Sequence, residues 1–234
     1  MTKSSWFFLL SLSLFCATAS SDDVQPLEIR YGQRQVDQIL DDRPDMKNVL
    51  GADHPIVMWV IDRFERGDDR RRIIWDYTEP ASGQSAEHMT YYHGYPAAIR
   101  ISSAGDTTGL DKWALLVFEL HNIENDPAIL KLIAEVSSRT LSPKEFGVRC
   151  TELEHQATVR TIYLLAKMDI RSVLTKNNIG TAKILLTPRV FEEYVQLLDK
   201  APRDAYDPRR HFTEYAERIL KPAAVQHVDA GEAK

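Results

Sequence analysis

Apolar residues recur along this chain mostly at helical spacing, and the breaks between runs carry proline, glycine and short polar capping residues. The densest run is 110–125. From Trp113 to Phe118 it is apolar on every side, as a helix is only when protein surrounds it. Its second half places Glu119, His121, Asn122 and Asn125 within about two turns. A buried helix that ends in a polar cluster is the feature around which the other segments are read.

Upstream, Val36, Ile39 and Leu40 predict a short helix over 35–42 that stops before Pro44. A second helix is expected over 53–66, with Asp53 as N-cap, Pro55 just inside and Gly67 as the stop. The β-rich run 73–78, ended by Pro80, and the run 96–102 predict two strands of one small sheet. Asp126 and Pro127 restart the chain as N-cap and first residue of a helix over 127–136. Ser142 and Glu145 have capping-box spacing with Pro143 between them, and they open a long helix. One face of that helix carries Phe146, Cys150, Glu154, Ala157, Thr161 and Leu165. Further on, 183–186 reads as a β-prone run, and amphipathic helices are expected over 189–200 and 209–220. The pattern predicts an α+β fold, helix-rich with a small β-sheet, as one globular domain over 20–221 with its C-terminal helices in 187–221.

The two ends read differently. Lys3, the apolar run 6–16 and the small residues Ala17-Thr18-Ala19 form a secretory signal peptide over 1–19, cut near Ala19. The expected destination is therefore secreted or periplasmic. The run is too short to span a bilayer, so no membrane insertion is expected after cleavage. Residues 222–234 read as a disordered tail.

Charge excludes one class of partner. The full chain carries −5, and loss of residues 1–19 removes one lysine and no acid, leaving a surface with no general attraction for nucleic acid. The cluster 68–72 reads as a solvated turn. Cys150 is the one cysteine beyond residue 19, which excludes an internal disulfide, and its apolar helical face predicts a buried thiol.

Glu154 is the one carboxylate on the inward face of its helix. A desolvated carboxylate must be neutralised, paired or metal-bound, because burying it alone costs several kcal/mol. Two placements fit the pattern: a buried site residue, or an edge residue on a slightly rotated helix whose Glu152 and His155 are fully exposed. His88 and His93 invite a metal reading, but in an extended stretch residues five apart face opposite sides, so loop or surface positions are expected for them. His211, on the first turn of the last helix, is also expected at the surface.

The order helix, strand, strand, buried helix, connecting helix and helix with an inward Glu resembles the minimal core of gluzincin-type zinc metallopeptidases, over about 53–170. Phe118-Glu119-Leu120-His121-Asn122 lies over that family's H-E-x-x-H, and residues 152–157 resemble its later Glu helix. The resemblance implies that Glu119 keeps the place of the general base and Glu154 that of the third ligand. It also implies that strand 97–102 is the edge strand along which a substrate pairs. Phe118 and Asn122 stand where the two histidine ligands belong, and neither suits zinc, so the motif is degenerate.

Three readings follow. In the first, this is a secreted, catalytically inactive zincin-like protein, a pseudo-peptidase without cofactor. Glu119, Asn122 and Glu154 then form a buried hydrogen-bonded network, and a peptide or protein binds along strand 97–102. In the second, it is a metal-dependent hydrolase or peptidase with a shifted site, zinc on His121 and Glu154 with Glu119 catalytic. Geometry opposes that one, because His121 lies ~100° around the helix from Asn122. In the third, it is a helical interaction protein whose polar cluster merely satisfies a buried helix end.

Overall fold

A computed structural model describes residues 29–66, 72–81, 84–91, 94–105, 107–202 and 205–221. The expected signal peptide, the tail, Gly67, most of the 68–72 charge cluster and His93 lie outside them.

The described chain is α+β. It runs α1 (Tyr31–Asp42), a 3-10 turn (Pro44–Met46), α2 (Pro55–Glu65), β1 (Ile74–Trp75), β2 (Ala86–Met89) and β3 (Ala98–Ile101). It continues with α3 (Gly109–Ile123), α4 (Asp126–Ser137), α5 (Pro143–Lys167) and a 3-10 turn (Ile170–Val173), then α6 (Ile179–Leu186), α7 (Phe191–Lys200) and α8 (Pro208–Leu220).

Local capping accounts for several of these boundaries. Ser142 Oγ accepts from the Glu145 backbone N–H while the Glu145 carboxylate accepts from that of Ser142, closing the expected box at the start of α5. Thr108 and Asp111 build a second such box at the start of α3. At α2 the N-cap is His54 rather than Asp53: its Nδ1 accepts the Ile56 N–H at 3.2 Å. Asn125 precedes α4, so Asp126 is its first residue rather than its cap. The 183–186 run is not a strand but the end of α6, held by a tertiary contact: Thr181 donates its N–H and hydroxyl to buried Asp111 at 2.6 and 2.7 Å.

The sheet has the order β1-β3-β2, with β1 parallel and β2 antiparallel to β3. Strand 98–101 is therefore the middle strand, hydrogen-bonded on both sides, with Ala98, Ile99 and Ile101 buried. This corrects the expectation of an edge at 97–102: no peptide can add there, because both rows of backbone groups are taken. The edge that borders the cleft described below belongs to β2.

Two apolar clusters form. The larger gathers α1, α2, the sheet and α3 around Trp113, Phe64, Ile99 and Leu116. The smaller joins α4, the first half of α5 and α8 through Val136, Phe146, Cys150 and Ala216. The α5 and α8 backbones approach closely at Gly147, where an added Cβ would lie 2.6 Å from Arg209 O and would press on Thr213 Oγ1. Between the clusters, α3 crosses α5, and the polar residues collect at that seam.

Candidate functional site

Every residue of α3 from Gly109 to Asn122 is buried except Leu115 and Phe118. These two are only half-covered because they share a helical face with Glu119 and Asn122, and that face opens onto a cleft. The cleft, about 510 Å³, is walled by residues 84–88 on one side, by this face of α3, by Glu154 of α5, and by Tyr206, His211 and Phe212. A second lobe of about 240 Å³ adjoins it, shares His88, Asn122, Glu154, His211 and Phe212 with it, and runs toward Ile133, Phe146 and Cys150.

His88 sits at the centre. Its Nδ1 lies 3.1 Å from Glu119 Oε2 and its Nε2 3.2 Å from Asp126 Oδ1, so both ring nitrogens donate and the ring is an imidazolium. Burial opposes that charge, but the bonds to Asp126 and Glu119 outweigh it and push the imidazole up to about 10. The expected surface histidine is thus a largely covered one, its side chain 14% exposed. The cause is strand register: β2 pairs His88 with Ile99 of β3 and packs against α3, which sends His88 to the helix while Glu87 bonds Arg100 at 2.9 Å.

Asn122 completes this network, its Nδ2 donating to Glu119 Oε2 at 3.3 Å. Glu119 and Asn122 are brought together as expected; the remaining partners are His88 and Asp126. Glu154 joins by charge instead. It is half-buried, yet its Oε2 is sealed from solvent and has no hydrogen-bond partner. Burial, and then the neighbouring Glu119 charge, push its carboxyl up to about 7, with His88 pulling the other way. The expected Glu119–Asn122–Glu154 hydrogen-bonded network is corrected accordingly. Glu154 stands beside a network built from Glu119, Asn122, His88 and Asp126.

His121 and Asn125 belong to another environment. Two residues from Glu119, His121 is turned ~200° about α3 and faces the other side. Its ring lies 4.9 Å from that of Trp59, and neither ring nitrogen forms a hydrogen bond, Glu124 Oε2 standing 3.5 Å from Nδ1. Burial, then the Arg160 and Arg63 charges, lower its imidazole to about 4. Asn125 ties α3 to α5, donating to Leu153 O at 2.7 Å and accepting from Arg160 at 2.8 Å. The shifted pairing of His121 with Glu154 is therefore not formed.

Two more expectations change. His211 is half-buried and lines both lobes, its ring 6.0 Å from that of Tyr206 at the cleft rim. His155, expected to be exposed if Glu154 sat at an edge, is buried against Phe191 and Tyr194, its Nε2 2.7 Å from Pro188 O. Cys150 is buried as expected, and burial followed by the Glu154 charge pushes its thiol up to about 12, which makes it a poor nucleophile.

Chemically, the cleft offers a fixed imidazolium between two carboxylates and a further carboxyl able to change protonation near neutrality. Among the described residues no group of three or more His, Cys, Asp or Glu side chains is arranged to hold a metal ion, and no helix is long and apolar enough to cross a membrane. No family model, no curated protein and no solved structure matches the chain.

Proposed function

We propose that this is an exported, non-catalytic zincin-like binding domain in which the His88 imidazolium supplies the positive charge that a metal ion supplies in the peptidases it resembles. The observation that carries this reading is the position of His88 between Glu119 and Asp126. Glu119 stands in the general-base place of the resemblance. Its Oε2 already accepts from His88 and Asn122, which leaves that oxygen poorly placed to activate a water.

Two further points support the reading. Glu119 on α3 and Glu154 on α5 come close enough for the Glu119 charge to act on Glu154, as the alignment of the two motifs requires. β2 is an antiparallel edge strand whose residues line the cleft, the arrangement that β-addition of a peptide uses. The occupant expected is a peptide or small molecule in the cleft beside β2.

The test is metal content of the purified protein, taken with its thermal midpoint with and without added zinc. The expected result is no stoichiometric metal and no zinc-dependent rise. Stoichiometric zinc that disappears in Glu154→Ala would sink this reading.

A second reading is favoured by one observation, the Glu154 carboxyl whose buried Oε2 has no hydrogen-bond partner and whose proton affinity lies near neutrality, at a ligand-sized cleft. In it the protein is a hydrolase whose Glu154 carries the proton. Hydrolysis of a peptide or ester library that is lost in Glu154→Gln, with the fold intact, would support it over the first.

A further inference from the structure

We propose that the cleft binds an organic cation: an alkylammonium or alkylguanidinium group at the end of a short apolar stem. This deepens the binding reading above and rests on the same cleft being a ligand site.

Charge supplies the first reason. Among the described residues, neither lobe is lined by a lysine or arginine, whereas Glu119 and Glu154 both face it. His88 contributes one positive charge, but Glu119 and Asp126 more than balance it by themselves. Glu154 then remains as an uncompensated carboxylate whenever it is ionised, with Oε2 buried and without a donor. An unsatisfied buried acceptor is costly, and a ligand N–H directed at it removes that cost.

Shape supplies the second. Phe118, Tyr206 and Phe212 line the larger lobe and Tyr215 lines the smaller, and aromatic faces beside carboxylates attract an organic cation more than a neutral or anionic group. Behind Glu154 the smaller lobe is walled by Ile129, Ile133 and Phe146, which suits a stem of a few methylenes. A total of several hundred Å³ in two adjoining lobes lies within the range of small-molecule sites. A bare metal ion fits less well, since Glu119 Oε2 is already engaged by two donors and the stem-sized lobe would have no role.

The experiment is an isostere series on the chelator-treated protein, followed by calorimetric titration. The probes are n-butylammonium chloride, n-butylguanidinium chloride, 1-butanol and sodium butyrate. The expected result is that a cation binds at least about tenfold tighter than the alcohol and the butyrate, and that Glu154→Gln removes that margin. Equal binding by all four probes, or full retention of the margin in Glu154→Gln, would overturn the proposal. The series on the unaltered protein decides the matter even where the variant does not fold. N-acetyl-lysine methylamide, added as a fifth probe, separates a peptide-borne cation from a free amine; tighter binding by either supports the proposal. Failure here is separable from failure of the binding reading. Zinc found in the untreated protein, with the cation margin intact after chelation, sinks only the non-catalytic reading. No zinc and no cation margin sinks only this inference.

Discussion

Glu119 on α3 and His88 on β2 meet at 3.1 Å, across a gap of 31 residues, in a place where both side chains are largely withdrawn from water. The pair is held from outside as well, by Asp126 on the far ring nitrogen and Asn122 on the shared oxygen. His88 is the member on which the others depend, because its removal leaves two buried carboxylates without a balancing charge.

His88→Gln is the direct probe. It keeps some hydrogen bonding but removes the positive charge between Glu119 and Asp126. The expected loss is ~3–5 kcal/mol of folding free energy near neutral pH. The pH dependence has a definite sign. The folded imidazole binds its proton more tightly than the ordinary value of 6.5 and titrates at about 10, so its stabilisation is complete below about 6.5 and is lost as pH rises through about 10. Urea unfolding between pH 6 and pH 10 should show a falling alkaline limb in the wild type and a flatter one in the variant. Parallel limbs would refute the assignment of an imidazolium at this position.

Glu154 carries the same sign for a different reason. Burial and Glu119 raise its carboxyl from 4.5 to about 7, so the contribution is full below about 4.5 and is lost as pH rises through about 7. Glu154→Gln cannot ionise. The stability difference between variant and wild type should move in the variant's favour by ~1–3 kcal/mol between pH 4.5 and pH 8. Thermal midpoints at matched pH values measure it, and a pH-independent difference would mean that Glu154 is solvated.

Much of this architecture was legible because it is local. The Ser142–Glu145 box, the amphipathic helix over 209–220 and the inward stripe of α5 depend on residues within a turn or two of each other, and spacing alone reports them. The face of α3 that carries Glu119 and Asn122 was legible for the same reason. What spacing cannot report is long-range pairing. His88 reaches Glu119 and Asp126 only because β2 forms against β3, and that register involves Ile99 and Ile101, which lie ten or more residues further along. The middle position of β3 depends on the same pairing. α6 was missed because Ile184, Leu185 and Leu186 read as β-prone, while the helix is fixed by Asp111, 70 residues away from Thr181. A weak signal for His88 did exist: Glu87 and His88 are neighbours, and in a strand one of them must face inward.

His121 gives the opposite pH behaviour on the far side of α3. Its imidazole is lowered from 6.5 to about 4 by burial and by Arg160 and Arg63. The folded chain therefore resists protonation, and the stability it contributes is full above about 6.5 and is lost as pH falls through about 4. His121→Phe keeps a ring against Trp59 and removes the proton site. Its acid-unfolding midpoint, followed by near-UV circular dichroism, should fall by about half a pH unit. An unchanged midpoint would mean that another group sets the acid limit. Because His121 faces away from the cleft, the same variant should leave cation binding at the cleft as it was.

Gly147 lets α5 and α8 approach until their backbones nearly touch, and α8 carries His211, Phe212 and Tyr215 into the walls of both lobes. A methyl group at position 147 would sit 2.6 Å from Arg209 O, which is backbone and cannot swing aside. Gly147→Ala should therefore push the start of α8 outward, at a cost of ~1–3 kcal/mol for overpacking, although alanine favours a helix more than glycine does. Displacement of α8 moves Phe212 and His211 away from Glu154, so the variant should also lose cation binding severalfold while the Glu119–His88 pairing on the opposite wall persists. Thermal unfolding measures the first effect, and n-butylammonium titration the second. The alkaline limb of the stability profile checks that His88 still holds its proton. A variant as stable as the wild type would show that α5 and α8 are not in the close contact from which the cleft wall is built.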